Sequence, residues 1–149
     1  MDKLLKQLII GLSLVLLCGF APTESNNKLT INFENIRNND GKIFIFIYNY
    51  ENQYPDNPYL YFEINKTKVA NGELRYVVPE GLQEGQYAIS VIDDENANED
   101  LDLFLGIPTE GYGFSNNVAP YFSMPDYTDL LFDFSDGKKA INLKLQYIL

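Results

Sequence analysis

Histidine is absent from this 149-residue sequence, tryptophan is absent too, and cysteine occurs once. Without histidine there is no Ser-His-Asp or Cys-His nucleophile system and no His-ligated zinc. The lone cysteine, Cys18, sits in the N-terminal segment, so no disulfide supports the part that folds. Stability then falls to apolar burial, for which ten Phe and eleven Tyr supply large side chains. Positive charge is scarce as well: 11 Lys and Arg stand against 21 Asp and Glu, for a net charge of −10. A field of that sign repels nucleic acid and anionic lipid headgroups, and favours cations or basic partners.

What the N-terminus does have is the three-part plan of a secretory signal peptide: Lys3 and Lys6, an apolar run from Leu8 to Leu17, then small and polar residues. The run is ten residues long, too short for a bilayer, which needs about 20. Two exits compete. One is cleavage after Ala21, with Gly19 at −3 and Ser25 as a fallback, because Pro22 follows the first cut. The other is lipidation of Cys18, which follows "VLL" as in a bacterial lipoprotein box, although Leu17 stands where that box takes a small residue. The expected organisation is a signal peptide over 1–21, ending before Cys18 if lipidated, a linker over 22–27 and one domain over 28–149. Membrane contact is expected only through the signal peptide or a lipid anchor, and the location is periplasmic or cell-envelope, with an outer-membrane lipoprotein as one form.

From Lys28 onward the pattern is strand and turn, with no convincing helical period. Leu29, Ile31 and Phe33 alternate with Thr30, Asn32 and Glu34, as in a half-buried strand. "NNDG" at 38–41 carries the residues of a tight hairpin. In "KIFIFIYNY", Ile43, Ile45 and Ile47 face one way and Phe44, Phe46 and Tyr48 the other, which marks a central strand with two apolar sides. Those aromatics serve either as a partner surface or as the second packed face. "NG" at 71–72, between Tyr61–Val69 and Leu74–Val78, predicts a second hairpin. Tyr87, Ile89 and Val91 alternate into a strand, and Leu82 precedes it as a buried turn residue. Leu130, Phe132 and Phe134 alternate next, and Ile141, Leu143, Leu145 and Tyr147 close the chain. Six to seven short strands with Gly and Asn turns predict an all-β fold, an antiparallel two-sheet sandwich of the immunoglobulin or prealbumin kind; an open barrel is the alternative.

Between Asp94 and Asp126 little periodicity remains, yet Phe104, Leu105, Ile107, Tyr112, Phe114, Tyr121 and Phe122 give this span too much apolar surface for a disordered segment. Loops beyond roughly 15 residues are usually functional or disordered. The expectation is one long ordered loop packed across an end of the sandwich.

The stretches "VIDDENANEDLD" and "GIPTEGYGFSNN" closely resemble the signature of a family of small exported bacterial proteins catalogued as domain of unknown function 2141. The resemblance extends to "NDGKIFIFIYN", "YPDNP" and "GLQEGQYAISV", and so covers almost the whole chain after the linker. It implies a signal peptide and one β-sandwich domain, with no activity attached. The family tends to read His-Asp-x-Asn-Gly-Asn-Gly-Lys-Leu-Asp in the acidic stretch. Here Asp93 replaces the histidine, Ala97 and Glu99 the glycines, and Asp100 the lysine.

"DDENANEDLD" at 93–102 invites a calcium reading. Asp94, Asn96, Asn98 and Asp102 fall at positions 1, 3, 5 and 9 of an EF-hand-like loop, and Asp100 would lend a backbone carbonyl. The sixth position wants Gly and has Glu99; the twelfth wants Glu and has Leu105. The bland reading is a solvated acidic turn on an acidic protein. In the following loop, Gly106, Gly111 and Gly113 allow close approach, and Tyr112 and Phe114 offer stacking surfaces for a sugar or peptide. Glu110, Asn116 and Asn117 add polar contacts, while the bland reading has the aromatics plugging the sandwich end. A carboxylate acid-base pair drawn from Glu95, Asp102 and Glu110 is not selected by any spacing, and no catalysis is expected. The expected function is a non-catalytic exported or envelope-associated binding or structural module, its partner an envelope protein or a glycan rather than nucleic acid. It requires no cofactor; the alternative is a calcium-dependent module with its site at 94–102.

Overall fold

The computed structural model describes residues 27–120 and 123–149. The expected signal peptide, Cys18 and most of the linker lie outside the described residues. Ten strands are present among the described residues: β1 (Lys28–Glu34), β2 (Lys42–Tyr48), β3 (Leu60–Asn65), β4 (Leu74–Val77), β5 (Gly85–Asp94), β6 (Leu103–Phe104), β7 (Ile107–Pro108), β8 (Gly111–Phe114), β9 (Phe132–Phe134) and β10 (Lys138–Lys144). The helical segments among the described residues are short 3-10 turns, so the fold is all-β. One sheet has the order β10-β1-β4; a second has β3-β2-β5-β8, with β9 also paired to β5; β6 and β7 form a small hairpin. The sheets do not close into a barrel.

The period-two pattern explains why these strands form where they do. Leu29, Ile31 and Phe33 of β1 and Leu143 of β10 meet Ile43, Ile45 and Ile47 of β2 and Ile89 and Val91 of β5 in one core. Each such side chain contributes roughly 1.5–3 kcal/mol on burial. The opposite face of β2 and β5 is covered by a second cluster containing Tyr48, Ala88, Tyr112, Phe114, Tyr127 and Leu130. The aromatic side of β2 is therefore a packed second face, with Phe46 partly open.

Several expectations need correction. "NNDG" is not a hairpin: β1 and β2 belong to different sheets. Gly41 is needed for another reason, since at φ +70 a Cβ there would lie 1.9 Å from the Asp94 carbonyl oxygen. "NG" does form a tight turn, closed by reciprocal Ala70 and Glu73 backbone bonds, but β3 pairs with β2 while β4 crosses to β1. The pairing is not wholly antiparallel, because β1 and β10 run parallel from Lys28↔Lys138 to Glu34↔Lys144. Nor is the 94–126 span one loop, since Gly111–Phe114 is a buried strand of the larger sheet. Its glycines hid it. A Cβ on Gly111 would stand 2.4 Å from Tyr147 Cε1, and one on Gly113 would stand 2.5 Å from Leu143 Cδ2. One face of β8 thus lies too close to β10 and the C-terminal segment for a side chain, and only Tyr112 and Phe114 carry apolar bulk.

Candidate functional site

The acidic stretch leaves the end of β5 and turns its own polar side chains onto its own backbone. Asp94, fully buried, accepts the amides of Asn98 at 3.2 Å and Glu99 at 2.9 Å, one on each oxygen. Asn96 Oδ1 also accepts from the Asn98 amide, Asn98 Oδ1 from the Asp100 amide, and Asp100 Oδ1 from the Leu101 amide. The carboxamides of Asn96 and Asn98 donate to the two oxygens of Asp102. Each link is the local side-chain-to-backbone bond that Asn and Asp make in turns. Ala97 and Glu99 take left-handed φ of 59° and 67°. The candidate residues Asp94, Asn96, Asn98 and Asp102 are therefore brought together. Among the described residues, no group of three or more His, Cys, Asp or Glu side chains forms a metal-holding cluster.

Glu110 ties the two ends of this stretch. It is buried, and its oxygens accept the amide of Glu95 at 2.9 Å and that of Asp102 at 3.2 Å. Asn116 donates to the carbonyls of Asp129 and Leu131, and Asn117 accepts from the Lys144 amide. The structure thus places Glu110, Asn116 and Asn117 in backbone-tying positions, Tyr112 and Phe114 inside the second cluster, and Gly106 at the hairpin tip with φ +80.

Beneath the loop lies a network that pattern reading missed. Asp93 and Lys66 are both fully buried, with Nζ 2.6 Å from Oδ1. Tyr147 donates to Asp93 Oδ2 at 2.6 Å, and Lys66 also donates to Asn38 Oδ1 at 2.9 Å. Burial raises the Asp93 carboxyl above its ordinary range, opposed by its bonds from Lys66 and Tyr147. Burial together with the Asp93 charge holds the Tyr147 hydroxyl in its neutral form. At the rim, Arg37 pairs with Glu95, stacks 4.6 Å over the Tyr147 ring and donates to the carbonyls of Thr109 and Leu149. One signal was available: Asp93 continues the Tyr87, Ile89, Val91 phase, so the alternation points a carboxylate into the core. Nothing in the polar "INKTK" marks Lys66 as its partner.

Beyond the network, the β6–β7 hairpin arches beside the outer face of the larger sheet. Between them is a concavity of about 910 Å³, floored by Phe46, Ile92, Tyr112 and Phe114 and walled by Leu103, Leu105 and Ile107. None of the described residues lining it is Asp, Glu, Lys or Arg. The hairpin holds apolar side chains in solvent: Phe104 is 61 % exposed and Leu105 87 %.

Comparison with curated proteins and with solved structures finds no match. Comparison with protein families matches residues 31–142 to a family described as "Uncharacterized protein conserved in bacteria (DUF2141)". The matched residues run from within β1 to within β10 and include the acidic stretch and β8. The chain belongs to this family.

Proposed function

We propose that the chain is an exported, envelope-associated β-sandwich module that binds a partner or ligand through the region between Asp94 and Met124, without catalysis. The sharing of one core by the inward faces of both sheets supports the sandwich reading. Lys3, Lys6 and the Leu8–Leu17 run support export. Engagement of the local carboxylates supports a non-catalytic role. Glu95 is paired to Arg37, Glu110 is held by two amides, and Asp102 is held by two carboxamides.

The observation that carries the reading is the hairpin. A self-bonded acidic turn and Glu110 fix its base, while Leu103, Phe104 and Leu105 stand exposed at its end. Apolar side chains held in solvent on an ordered support mark interaction surfaces. The test is capture of envelope proteins and glycans by the wild-type protein and by Phe104→Ser, an exposed change expected to move stability by no more than about 0.5 kcal/mol. The reading requires a captured species that the variant loses, and identical captures would refute it.

Calcium is a second reading, favoured by the backbone of the acidic stretch. Glu99 holds the left-handed φ for which a calcium loop keeps glycine at its sixth position, and Asp94, Asn96 and Asn98 direct oxygens into the turn. A ligand that binds only the folded state must raise the melting midpoint. Melts in chelator and then in millimolar calcium provide the check, and an unmoved midpoint retires this reading.

A further inference from the structure

We infer that the concavity beside the β6–β7 hairpin is a binding site for an uncharged lipophilic molecule, of which a medium-length acyl chain under a neutral headgroup is the simplest form. This rests on the binding-module reading and narrows it to a ligand class. The first support is charge. Charged residues make up 21 % of the chain, yet among the described residues none lines this space. An ionised ligand entering it would lose its water with no counter-charge to meet it, whereas a hydrocarbon loses nothing. The second support is the state of the hydroxyls: of the four that line the space among the described residues, those of Tyr112 and Ser123 are open to a neutral headgroup, and those of Tyr48 and Ser90 are not. Tyr48 donates to the Pro55 carbonyl at 2.8 Å and shares a hydrogen bond with Ser90. These two hydroxyls are engaged within the protein and make no demand on a ligand.

Size and surroundings narrow the occupant further. A volume of about 910 Å³ falls in the range of small-molecule sites, roughly 300–1,000 Å³. The wall residues Leu105 and Ile107 remain exposed, so an entering chain covers apolar surface that is otherwise in water. The acidic stretch adjoins the hairpin at Leu103, and of its six carboxylates between Asp93 and Asp102 four remain without an ion-pair partner among the described residues once Lys66 has paired with Asp93 and Arg37 with Glu95. An anionic headgroup at that rim meets repulsion, and a neutral one does not.

The experiment titrates the purified protein with N-phenyl-1-naphthylamine, an uncharged apolar fluorophore. Displacement is then measured with a medium-chain monoacylglycerol and with the fatty-acid anion of the same chain length. The expected result is saturable binding at one site, with the neutral lipid displacing the probe at least about tenfold better than the anion. In Leu105→Lys/Ile107→Lys, two changes at exposed wall positions, probe affinity falls about tenfold or more while the melting midpoint is retained. Probe binding that does not saturate, that survives the double change, or that the anion displaces equally well overturns the inference. A dimer in sedimentation that excludes the probe, or fluorescence left at background because the chain fills the space itself, overturns it equally. Phe104 does not line the concavity. A failed titration alongside Phe104-dependent capture therefore sinks the ligand class alone, whereas loss of both sinks the module reading too.

Discussion

Replacing Lys66 with Met tests the buried pair under the acidic stretch. Methionine fills much of the lysine's volume but leaves Asp93 with Tyr147 as its remaining side-chain donor, at a site where both original partners are fully buried. Leaving one member of a buried pair uncompensated costs about 3–5 kcal/mol, against a total stability of roughly 5–15 kcal/mol for an ordinary domain. For a domain of this size the melting midpoint should fall by on the order of 10–20 °C. In Lys66→Met/Asp93→Leu the charge is gone as well, so most of the loss should return, because apolar replacement of a whole buried pair is often neutral. Burial already raises the Asp93 carboxyl, and its bond from Lys66 is the largest effect opposing that rise. Removing Lys66 raises the carboxyl further. A carboxyl whose folded pKa lies above its unfolded value binds protons preferentially in the folded state, so stability is gained as pH falls through the folded pKa. The deficit of Lys66→Met should accordingly shrink on acidification from neutral pH. Urea denaturation of wild type, single and double variants at pH 7 and pH 5 measures all three expectations. A single-variant loss under about 1 kcal/mol, a deficit independent of pH, or a double variant no better than the single would refute the reasoning.

Two further predictions concern backbone positions. Glu99→Gly removes a side chain from a left-handed position at φ 67° and should stabilise the protein by roughly 0.5–1 kcal/mol, seen as a higher melting midpoint. If calcium binds, the same change should enlarge the calcium-induced rise. Gly113→Ala drives a Cβ to within 2.5 Å of Leu143 in the core and should cost about 1–3 kcal/mol. Gly85→Ala is its control: the nearest atom is 3.9 Å away, and its midpoint should barely move.

Strands whose inward side is bulky and β-branched, such as Ile43, Ile45 and Ile47 in β2, were legible because burial on one face imposes a period of two. Pairing was less legible. Turn residues such as those in "NNDG" and "NG" report local φ, and the same Asn-Gly chemistry serves a crossover between sheets as well as a hairpin. β8 escaped because its inward positions are glycines, whose selection is steric and made by Tyr147 and Leu143, far away in sequence. At the site, the alternation of Asp and Asn showed that Asp94, Asn96 and Asn98 act together. It did not show whether they face an ion or their own amides, since both use the same oxygens. Lys66 and Tyr147 stayed hidden because a buried ion pair is defined by two distant positions, and neither is unusual in its own neighbourhood.

The parallel pairing of β1 with β10 sets the direction in which the module faces. The chain enters β1 at Lys28, beside Gly137, and leaves it at Glu34, beside Lys144. Arg37 then reaches the acidic stretch at Glu95 and the C-terminal Leu149 carbonyl. Seven residues of strand separate those ends by roughly 20 Å. Any tether attached ahead of Asn27 would pull from the pole opposite the acidic stretch. On an anchored molecule, that stretch and the hairpin it supports would be presented away from the surface that holds it.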